Sequence, residues 1–314
     1  MSQHLSYTTE EIAQLLKISK LTVYDLIKKG ELLSYRVGKQ MRIDASDLDA
    51  YKQRSKARSA GQEAYAASAA ASIVAHGTGT APVLTGQDIS LDMLASHLER
   101  RMPGLRPLRS HTGSLDSLIS MYKGEADIVS THLLDGDSGE YNIPYIRRLL
   151  IGMPYMVVNL LSRPAGLYVA KGNPHRLAGW PDLSRPGLRL ANREVGSGAR
   201  VLLDEQLRLN GIAPGSIAGY DSIHTSHISV ASKVASGEAD AGVGTARAAS
   251  IVEQVDFIPL TQERYDLVIL KNGRSKPWLN ELLAILRSDE FRQELQSVSG
   301  YDLSLTGQVL YETP

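Results

Sequence analysis

HTGSLDSLISMYKGEAD, at residues 111–127, and HTSHISVASKVASGEAD, at residues 224–240, are two copies of one segment of the chain. They align without gaps, and six of their seventeen positions carry the same residue. Each copy predicts a loop, a helix that begins among Thr, Ser or Gly residues, a GEAD turn and a short strand. We interpret the two copies as equivalent units of two related lobes.

The sequence around this repeat alternates between strands and helices from residue 82 onward. Such alternation indicates an α/β domain with a largely parallel sheet. We predict strands at residues 83–85, 105–109, 126–130, 188–191, 241–243 and 255–259. We predict helices at residues 88–100, 114–122, 197–209, 226–235 and 246–253, with further helices within 277–295.

A smaller, basic segment precedes this domain. Residues 1–60 contain eleven Lys and Arg against seven Asp and Glu, a net charge of +4. Because the whole chain has 34 of each kind, the remainder has a net charge of −4. This asymmetry indicates that the N-terminal segment is the part that meets a polyanion.

The basic segment has the pattern of two short helices followed by a hairpin. Thr8 and Glu11 form a capping box that predicts a helix from Thr9, and a second helix should span residues 20–29. Residues 34–37 and 41–43 alternate as two strands around a Gly-Lys-Gln turn, and a last helix should span residues 45–54. Two helices joined by a tight turn are a helix-turn-helix, whose second helix enters the major groove of DNA.

This segment resembles the excisionase-type, MerR-like winged helix-turn-helix family. TTEEIAQLLKIS, KKGEL, RVGKQMRI and DASDLDAY carry the resemblance in order over residues 5–54. It implies that the segment binds double-stranded DNA, whereas the alternative is a helical interaction domain with solvated lysines. We predict groove contacts from Ser19, Lys20, Thr22, Val23 and Tyr24. We predict contacts to the phosphate backbone from Lys28, Arg36, Lys39, Gln40 and Arg42.

The remainder resembles the periplasmic-binding-protein-like superfamily, in the subgroup often fused to a helix-turn-helix. The resemblance rests on TGQDISLDMLASHL, GSLDSLISMYKGEADIVSTHLLD, YNIPYIRRLL, NREVGSGARVLLDEQL, SHISVASKVASGEADAGVGTA and ERYDLVIL. It implies the two-lobed type II fold, with the chain crossing between lobes near residues 162–167 and 262–266. The expected fold class is therefore α/β, with an N-terminal winged helix-turn-helix and a two-lobed binding domain.

We expect three consecutive parts in the chain. The winged helix-turn-helix should span residues 1–56, an alanine-rich linker residues 57–81, and the ligand-sensing domain residues 82–314. Within that domain, residues 82–163 and 266–314 should form one lobe and residues 164–265 the other. The linker is either a flexible or partly helical connector, or a helix that pairs two protomers or transmits lobe movement.

Small polar residues at predicted helix starts are the candidate ligand contacts. Helix N-termini present unpaired N–H groups and a partial positive charge, which suits an anion. Each such Ser or Gly alone is more often only a helix cap. The resemblance includes molybdate- and tungstate-binding relatives, and it favours Ser114 and Ser197, one from each lobe. The full candidate set is Gln87, Asp88, Thr112, Gly113, Ser114, Arg193, Gly196, Ser197, Gly198, Arg200, Thr225, Ser226 and His227.

Composition excludes several classes of protein. The chain of 314 residues has no cysteine, so it cannot form disulfides, thiolate metal sites or a cysteine nucleophile. Its longest apolar stretch, residues 149–161, is too short to span a bilayer, and residues 1–9 show no signal-peptide pattern. The HTSH spacing at residues 224–227 lacks companion ligands, so we expect no metal. We expect a soluble, cytoplasmic protein without a membrane partner.

The leading hypothesis is a one-component transcription regulator. Molybdate, tungstate or another small anion would bind between the lobes, and a homodimer would bind a DNA operator. No nucleotide loop or hydrolase elbow is present, so we expect neither enzyme activity nor a cofactor. The alternatives are a regulator of the same architecture that senses a small organic ligand, and a cytoplasmic oxyanion store without DNA output.

Overall fold

The structure is a computed structural model that describes residues 6–16, 20–28, 32–37, 40–48, 51 and 81–314. Its backbone divides into two units, residues 1–78 and residues 79–314.

The first unit contains two short helices and a three-stranded antiparallel sheet in the order β1-β3-β2. Its elements are β1 (Ser6–Thr8), α1 (Thr9–Leu16), α2 (Lys20–Lys28), β2 (Tyr35–Val37) and β3 (Gln40–Asp44). Residues 45–48 are helical as well. The sequence did not predict β1, because its three residues are too few to show an alternating pattern.

The capping box at the start of α1 is confirmed. The carboxylate of Glu11 accepts a hydrogen bond from the backbone N–H of Thr8 at 2.7 Å, and the Thr8 hydroxyl accepts one from the Glu11 N–H at 3.3 Å. Behind α1 and α2 lies a small apolar core. Its fully or almost fully buried members include Ile12, Val23, Leu32, Ile43 and Leu48.

The second unit is built on one nine-stranded sheet, in the order β5-β4-β6-β11-β7-β10-β8-β9 with β12 paired to β7. Its strands are β4 (Val83–Thr85), β5 (Leu108–Ser110), β6 (Ile128–Thr131), β7 (Tyr155–Ala170), β8 (Leu190–Arg193), β9 (Ile223–His224), β10 (Ala241–Thr245), β11 (Val255–Leu270) and β12 (Val309–Glu312). Its α-helices are α3 (Ser90–Arg101), α4 (Ser114–Tyr122), α5 (Ile143–Leu149), α6 (Gly198–Leu209), α7 (His227–Ala235), α8 (Ala246–Ile251), α9 (Lys276–Arg287) and α10 (Asp289–Gln296).

Two sixteen-residue strands, β7 and β11, pair antiparallel along their length and carry the chain from one lobe to the other. The outer strands of each lobe pair in parallel, so the expected parallel sheet is interrupted at its centre. The sequence predicted only residues 255–259 of this pair. Most of β7 is buried, so its sequence does not alternate between apolar and polar residues.

The repeat produces the same structure twice. Helix α4 and strand β6 begin at Ser114 and Ile128, and α7 and β10 begin at His227 and Ala241, 113 positions later in both cases. The prediction of two lobes with equivalent units is confirmed.

Each lobe has its own apolar core. Leu98, Trp278 and Phe291 lie in a core of the first lobe, whereas Leu190 and Leu203 lie in a core of the second. This separation leaves the space between the lobes free for polar groups.

One loop of the first lobe packs into the second. Residues 133–142, which we call the strap, follow β6, yet Leu134 and Tyr141 are buried in the core of the second lobe. The backbone N–H of Gly136 also donates to Glu205 of α6 at 2.9 Å. The two lobes are therefore joined by the strap as well as by β7 and β11.

Candidate functional site

A cavity of about 720 Å³ lies between the lobes. It is bounded by the starts of α4, α6 and α7 and by the segment that leads from β4 into α3. The sequence candidates that line it are Gln87, Asp88, Thr112, Gly113, Ser114, Arg193, Ser197, Gly198, Thr225, Ser226 and His227.

Two candidates lie outside this lining. Arg200 forms an ion pair with Asp204 at 3.0 Å, and its guanidinium stacks over the ring of Tyr220 at 4.1 Å. The carbonyl of Gly196 accepts a hydrogen bond from the N–H of Leu115 at 3.0 Å. Of the two arginines proposed to neutralise an anion, Arg193 lines the cavity, whereas Arg200 lies outside its lining and is paired with Asp204.

The hydroxyls of the two favoured serines are engaged with protein groups. Ser114 Oγ lies 3.0 Å from Nδ1 of His132. Ser197 caps α6, because its Oγ accepts from the N–H of Arg200 at 3.3 Å and donates to the carbonyl of Glu194 at 2.8 Å. Both serines are 3% exposed. A ligand would therefore meet donors that surround these hydroxyls more readily than the hydroxyls themselves.

Close backbone approach brings His132 against the start of α6. A Cβ atom on Gly198 would lie 2.1 Å from Cδ2 of His132, which is a severe overlap. The sequence reasoning missed His132. Its only signal was its position directly after the strand of the first repeat copy.

A buried charge network lies where the two long strands cross. Arg163 of β7 is 7% exposed, and its guanidinium donates to Glu263 of β11 at 2.5 Å and to Asp88. The hydroxyl of Tyr301 donates to Asp88 at 2.6 Å. Arg163 also lies 4.7 Å from the ring centre of Tyr265.

Asp88 serves this network and is not the cap of α3. The helix begins at Ser90 with Ile89 at the capping position, although Asp88 accepts a hydrogen bond from the N–H of Ser90 at 2.8 Å. Burial raises the pKa of Asp88, but the Arg163 charge and the hydrogen bonds outweigh it, so the pKa lies below its usual range.

A second buried guanidinium connects the two lobes. Arg193 is 2% exposed and donates to Glu194 at 2.7 Å, to Gln87 of the first lobe at 2.8 Å and to the carbonyl of Thr225 at 3.3 Å. Within the described part of the chain, Nη1 of Arg193 and Nη2 of Arg163 make no hydrogen bond. Each guanidinium therefore retains donor capacity at the cavity.

Two histidines at the cavity are neutral near pH 7. Burial, together with the charges of Arg163 and Arg193, lowers the pKa of His132 to about 4. Burial and the same two guanidinium groups lower the pKa of His227 well below its ordinary value. Nδ1 of His227 is buried without a hydrogen-bond partner in the structure. An anion would relieve the electrostatic cost of protonating either ring.

The depressed pKa of His132 predicts that acid destabilises the ligand-binding unit. Between pH 6.5 and about 4 the unfolded chain binds a proton that the folded chain excludes, so stability falls as the pH is lowered. We expect a loss of about 1 kcal/mol per pH unit in that window. Urea unfolding of the full chain at pH 7.5, 6.5, 5.5 and 4.5 measures it.

The control for this prediction is His175→Asn, because His175 is a half-exposed surface residue. This variant should retain the pH dependence of the natural chain. Stability that stays constant between pH 6.5 and 4.5 would contradict the prediction.

Among the described residues, no group of three or more His, Asp or Glu side chains is arranged to hold a metal ion. No helix in the described ranges is long and apolar enough to cross a membrane.

The candidate DNA contacts fall into four groups. Thr22, Tyr24 and Arg36 are exposed, and Lys20 is exposed and paired with Glu10. Arg42 is partly buried and donates to the carbonyl of Ser6 at 3.3 Å. The predicted groove contact from Val23 is wrong, since Val23 is fully buried in the core of the unit. Ser19 and Lys39, and the side chains of Lys28 and Gln40, lie outside the described residues.

Comparison with known families agrees with the division of the chain into two units. The profile described as PBP superfamily domain matches residues 95–287, and that described as helix-turn-helix domain matches residues 6–56. This chain belongs to the PBP superfamily. Together the two domains support a DNA-binding regulator that carries a ligand-binding domain.

One relative matches along the full length of the chain, and another matches part of it. The uncharacterized protein YvgK of Bacillus subtilis (strain 168) is 50% identical over 316 residues. The match covers 100% of this chain and 100% of the relative. An uncharacterized protein of Clostridium pasteurianum, from the 5′ region of a ferredoxin gene, is 47% identical over 112 residues. That match covers 36% of this chain and 99% of the relative.

Solved structures show the same fold at low sequence identity. A histidine kinase sensor domain with similarity to periplasmic binding proteins matches with a TM-score of 0.52 at 13% identity, over 71% of this chain and 97% of its own. The ancestral amino-acid-binding protein AncCDT-1 matches with a TM-score of 0.50 at 19% identity, over 70% of this chain and 94% of its own. A mutant of OxyR from Corynebacterium glutamicum matches with a TM-score of 0.51 at 13% identity, over 93% of this chain and 89% of its own.

Proposed function

We propose that this chain is a cytoplasmic, homodimeric transcription regulator whose DNA binding responds to a small anion held between the lobes. The observation that supports it best is a cavity that is lined by both lobes and contains two buried guanidinium groups, in a chain that also carries a helix-turn-helix domain. A ligand that prefers one arrangement of the lobes shifts the population of that arrangement, and the DNA-binding units respond to it. The role is one of binding rather than catalysis.

Hydrogen-bond donors at the cavity favour an anion as the effector, although Arg163 and Arg193 also pair with carboxylates. Arg163 and Arg193 are buried and retain donor capacity, and the positive ends of three helices lie at the cavity. Molybdate and tungstate are the tetrahedral ions that the family resemblance implies, and they are the first effectors to test.

A small organic ligand is the second candidate, and the size of the cavity favours it. A volume of about 720 Å³ lies within the range of about 300–1,000 Å³ that is usual for small-molecule sites. A four-oxygen ion would fill only a small part of that space.

Ligand-dependent stabilisation tests the proposed function. The full chain is heated with molybdate, tungstate, sulfate, phosphate and a set of organic acids, each in large excess. A ligand at about 100 times its dissociation constant should add about 2.7 kcal/mol of stability and raise the melting temperature. The same ligand should change the affinity for a duplex selected by the chain from a random pool.

Coupling between the two sites must be reciprocal. If ligand weakens DNA binding tenfold, DNA must weaken ligand binding by the same factor at matched salt. Ligand binding without any effect on DNA binding would favour the oxyanion store instead.

The hairpin of the N-terminal unit should contact DNA phosphates. Removing two positive charges with Arg36→Ala and Lys39→Ala should weaken binding to every sequence, because phosphate contacts carry no sequence information. It should also reduce the slope of log affinity against log salt by about 2. Fluorescence anisotropy with a random-sequence duplex between 50 and 200 mM salt measures both effects.

The matched control removes two exposed charges from the other unit, with Arg106→Ala and Lys123→Ala. It should leave the salt slope of the natural chain intact. An unchanged slope in the hairpin variant would exclude the hairpin from the DNA interface.

A further inference from the structure

Three large apolar side chains at the cavity are exposed to solvent. They are Ile89 at 39%, Ile228 at 46% and Ile251 at 55% of their full area, and all three line the cavity. Ile89 precedes α3 in the first lobe, whereas Ile228 and Ile251 belong to α7 and α8 of the second lobe. We call this set the isoleucine rim.

Single exposed apolar residues are common on protein surfaces and need no explanation. Three that line one concave site are different, because contiguous apolar surface beside a cavity usually marks the place where a ligand or partner binds. Pro164, Ala246 and Ala248 extend the apolar lining of the same cavity.

Exposure distinguishes the buried cations from the apolar residues of the cavity lining. Arg163 and Arg193 are only 7% and 2% exposed, whereas the isoleucines of the rim are 39–55% exposed. Arg247 of α8 is partly buried and adds a third cation to the lining. A ligand that fills the cavity would therefore meet both guanidinium donors and exposed apolar side chains.

We propose that the effector is an organic anion whose oxyanion group contacts Arg163 and Arg193 and whose apolar body covers the isoleucine rim. This inference rests on the proposed function and specifies the ligand class of its site. A free molybdate or tungstate ion bound by the guanidinium groups of Arg163 and Arg193 would leave the isoleucine rim exposed. An organic carboxylate or phosphate monoester would bury it and gain about fourfold in affinity for each methylene group removed from water.

Two homologous series of ligands test the inference on the full chain. One runs from methyl to hexyl phosphate and the other from acetate to octanoate, with inorganic phosphate, molybdate and tungstate as the free ions. Isothermal titration calorimetry should show affinity that rises by about fourfold per methylene until the cavity is filled. The series with the tighter binding identifies the head group.

Variants of the rim provide the specific control. Ile228→Ser should flatten the dependence on chain length while the binding of inorganic phosphate stays the same. Ile151→Ser removes an isoleucine that is 74% exposed and lies outside this cavity, and it should behave as the natural chain does.

Two results would overturn the inference. Affinity that is independent of chain length would do so, as would molybdate or tungstate binding more tightly than every organic member of both series. If a free ion also changed DNA affinity, the proposed function would stand and only the organic character of the effector would fall. If no anion bound and DNA affinity never changed, the proposed function would fall as well.

Discussion

Replacing Arg163 by Met should cost about 3–5 kcal/mol of the free energy of unfolding of the ligand-binding unit. The reason is that Asp88 and Glu263, at 8% and 2% exposure, would remain buried without their shared counter-charge. Methionine has a similar length and is apolar, so lost packing contributes little. Urea denaturation followed by circular dichroism measures the change.

A rescue variant distinguishes the effect of the lost counter-charge from the effect of the changed side-chain shape. Adding Asp88→Asn and Glu263→Gln to Arg163→Met removes the stranded charges and should recover much of the lost stability. The control is Lys171→Met, which breaks the exposed ion pair with Asp256 and should cost less than about 1 kcal/mol. A loss no larger than that control would show that the network does not support the fold.

Replacing Gly198 by Val should abolish most ligand binding. Any Cβ atom there would overlap the imidazole of His132, so the ring must turn away and break its hydrogen bond with Ser114. The two helix starts that flank the cavity would then move apart. We expect a loss of at least about tenfold in ligand affinity, together with about 1–3 kcal/mol of stability.

The matched control is Gly215→Val, because a Cβ atom at Gly215 would meet no atom within 4 Å. Ligand affinity in this control should equal that of the natural chain. Equal affinities in the Gly198 and Gly215 variants would show that contact between α6 and His132 is not needed for binding. Calorimetry with the tightest ligand of the series makes the comparison.

Local sequence signals predicted most of the helices, although the helix α5 at Ile143–Leu149 was missed. The capping box at Thr8, the caps at Ser197 and Ser226, and the repeated GEAD turn each depend on residues only a few positions apart. Such interactions can be predicted from the sequence, because both partners lie within a few positions of each other. For the same reason the starts of α4, α6 and α7 were located to within one residue.

Asp88 and Arg193 were among the sequence candidates, but the long-range contacts of the buried cavity groups could not be found in this way. Asp88 meets Tyr301, which lies 213 positions further along the chain, and Arg163 meets Glu263, which lies 100 positions further. The pairing of β7 with β11 brings Glu263 beside Arg163, and β7 itself carried no alternating pattern. Arg200 had the right charge near the right helix start, but Asp204 one turn later holds it elsewhere.

The strap at residues 133–142 affects how quickly the protein exchanges its ligand. Separating the lobes would draw Leu134 and Tyr141 out of the second core, at roughly 1.5–3 kcal/mol for each side chain. Separated molecules would then be about one in a hundred to one in ten thousand. A ligand large enough to require that separation before it can enter or leave should therefore bind and dissociate slowly. The protein would keep its response for some time after the surrounding effector concentration falls, and it would ignore brief fluctuations.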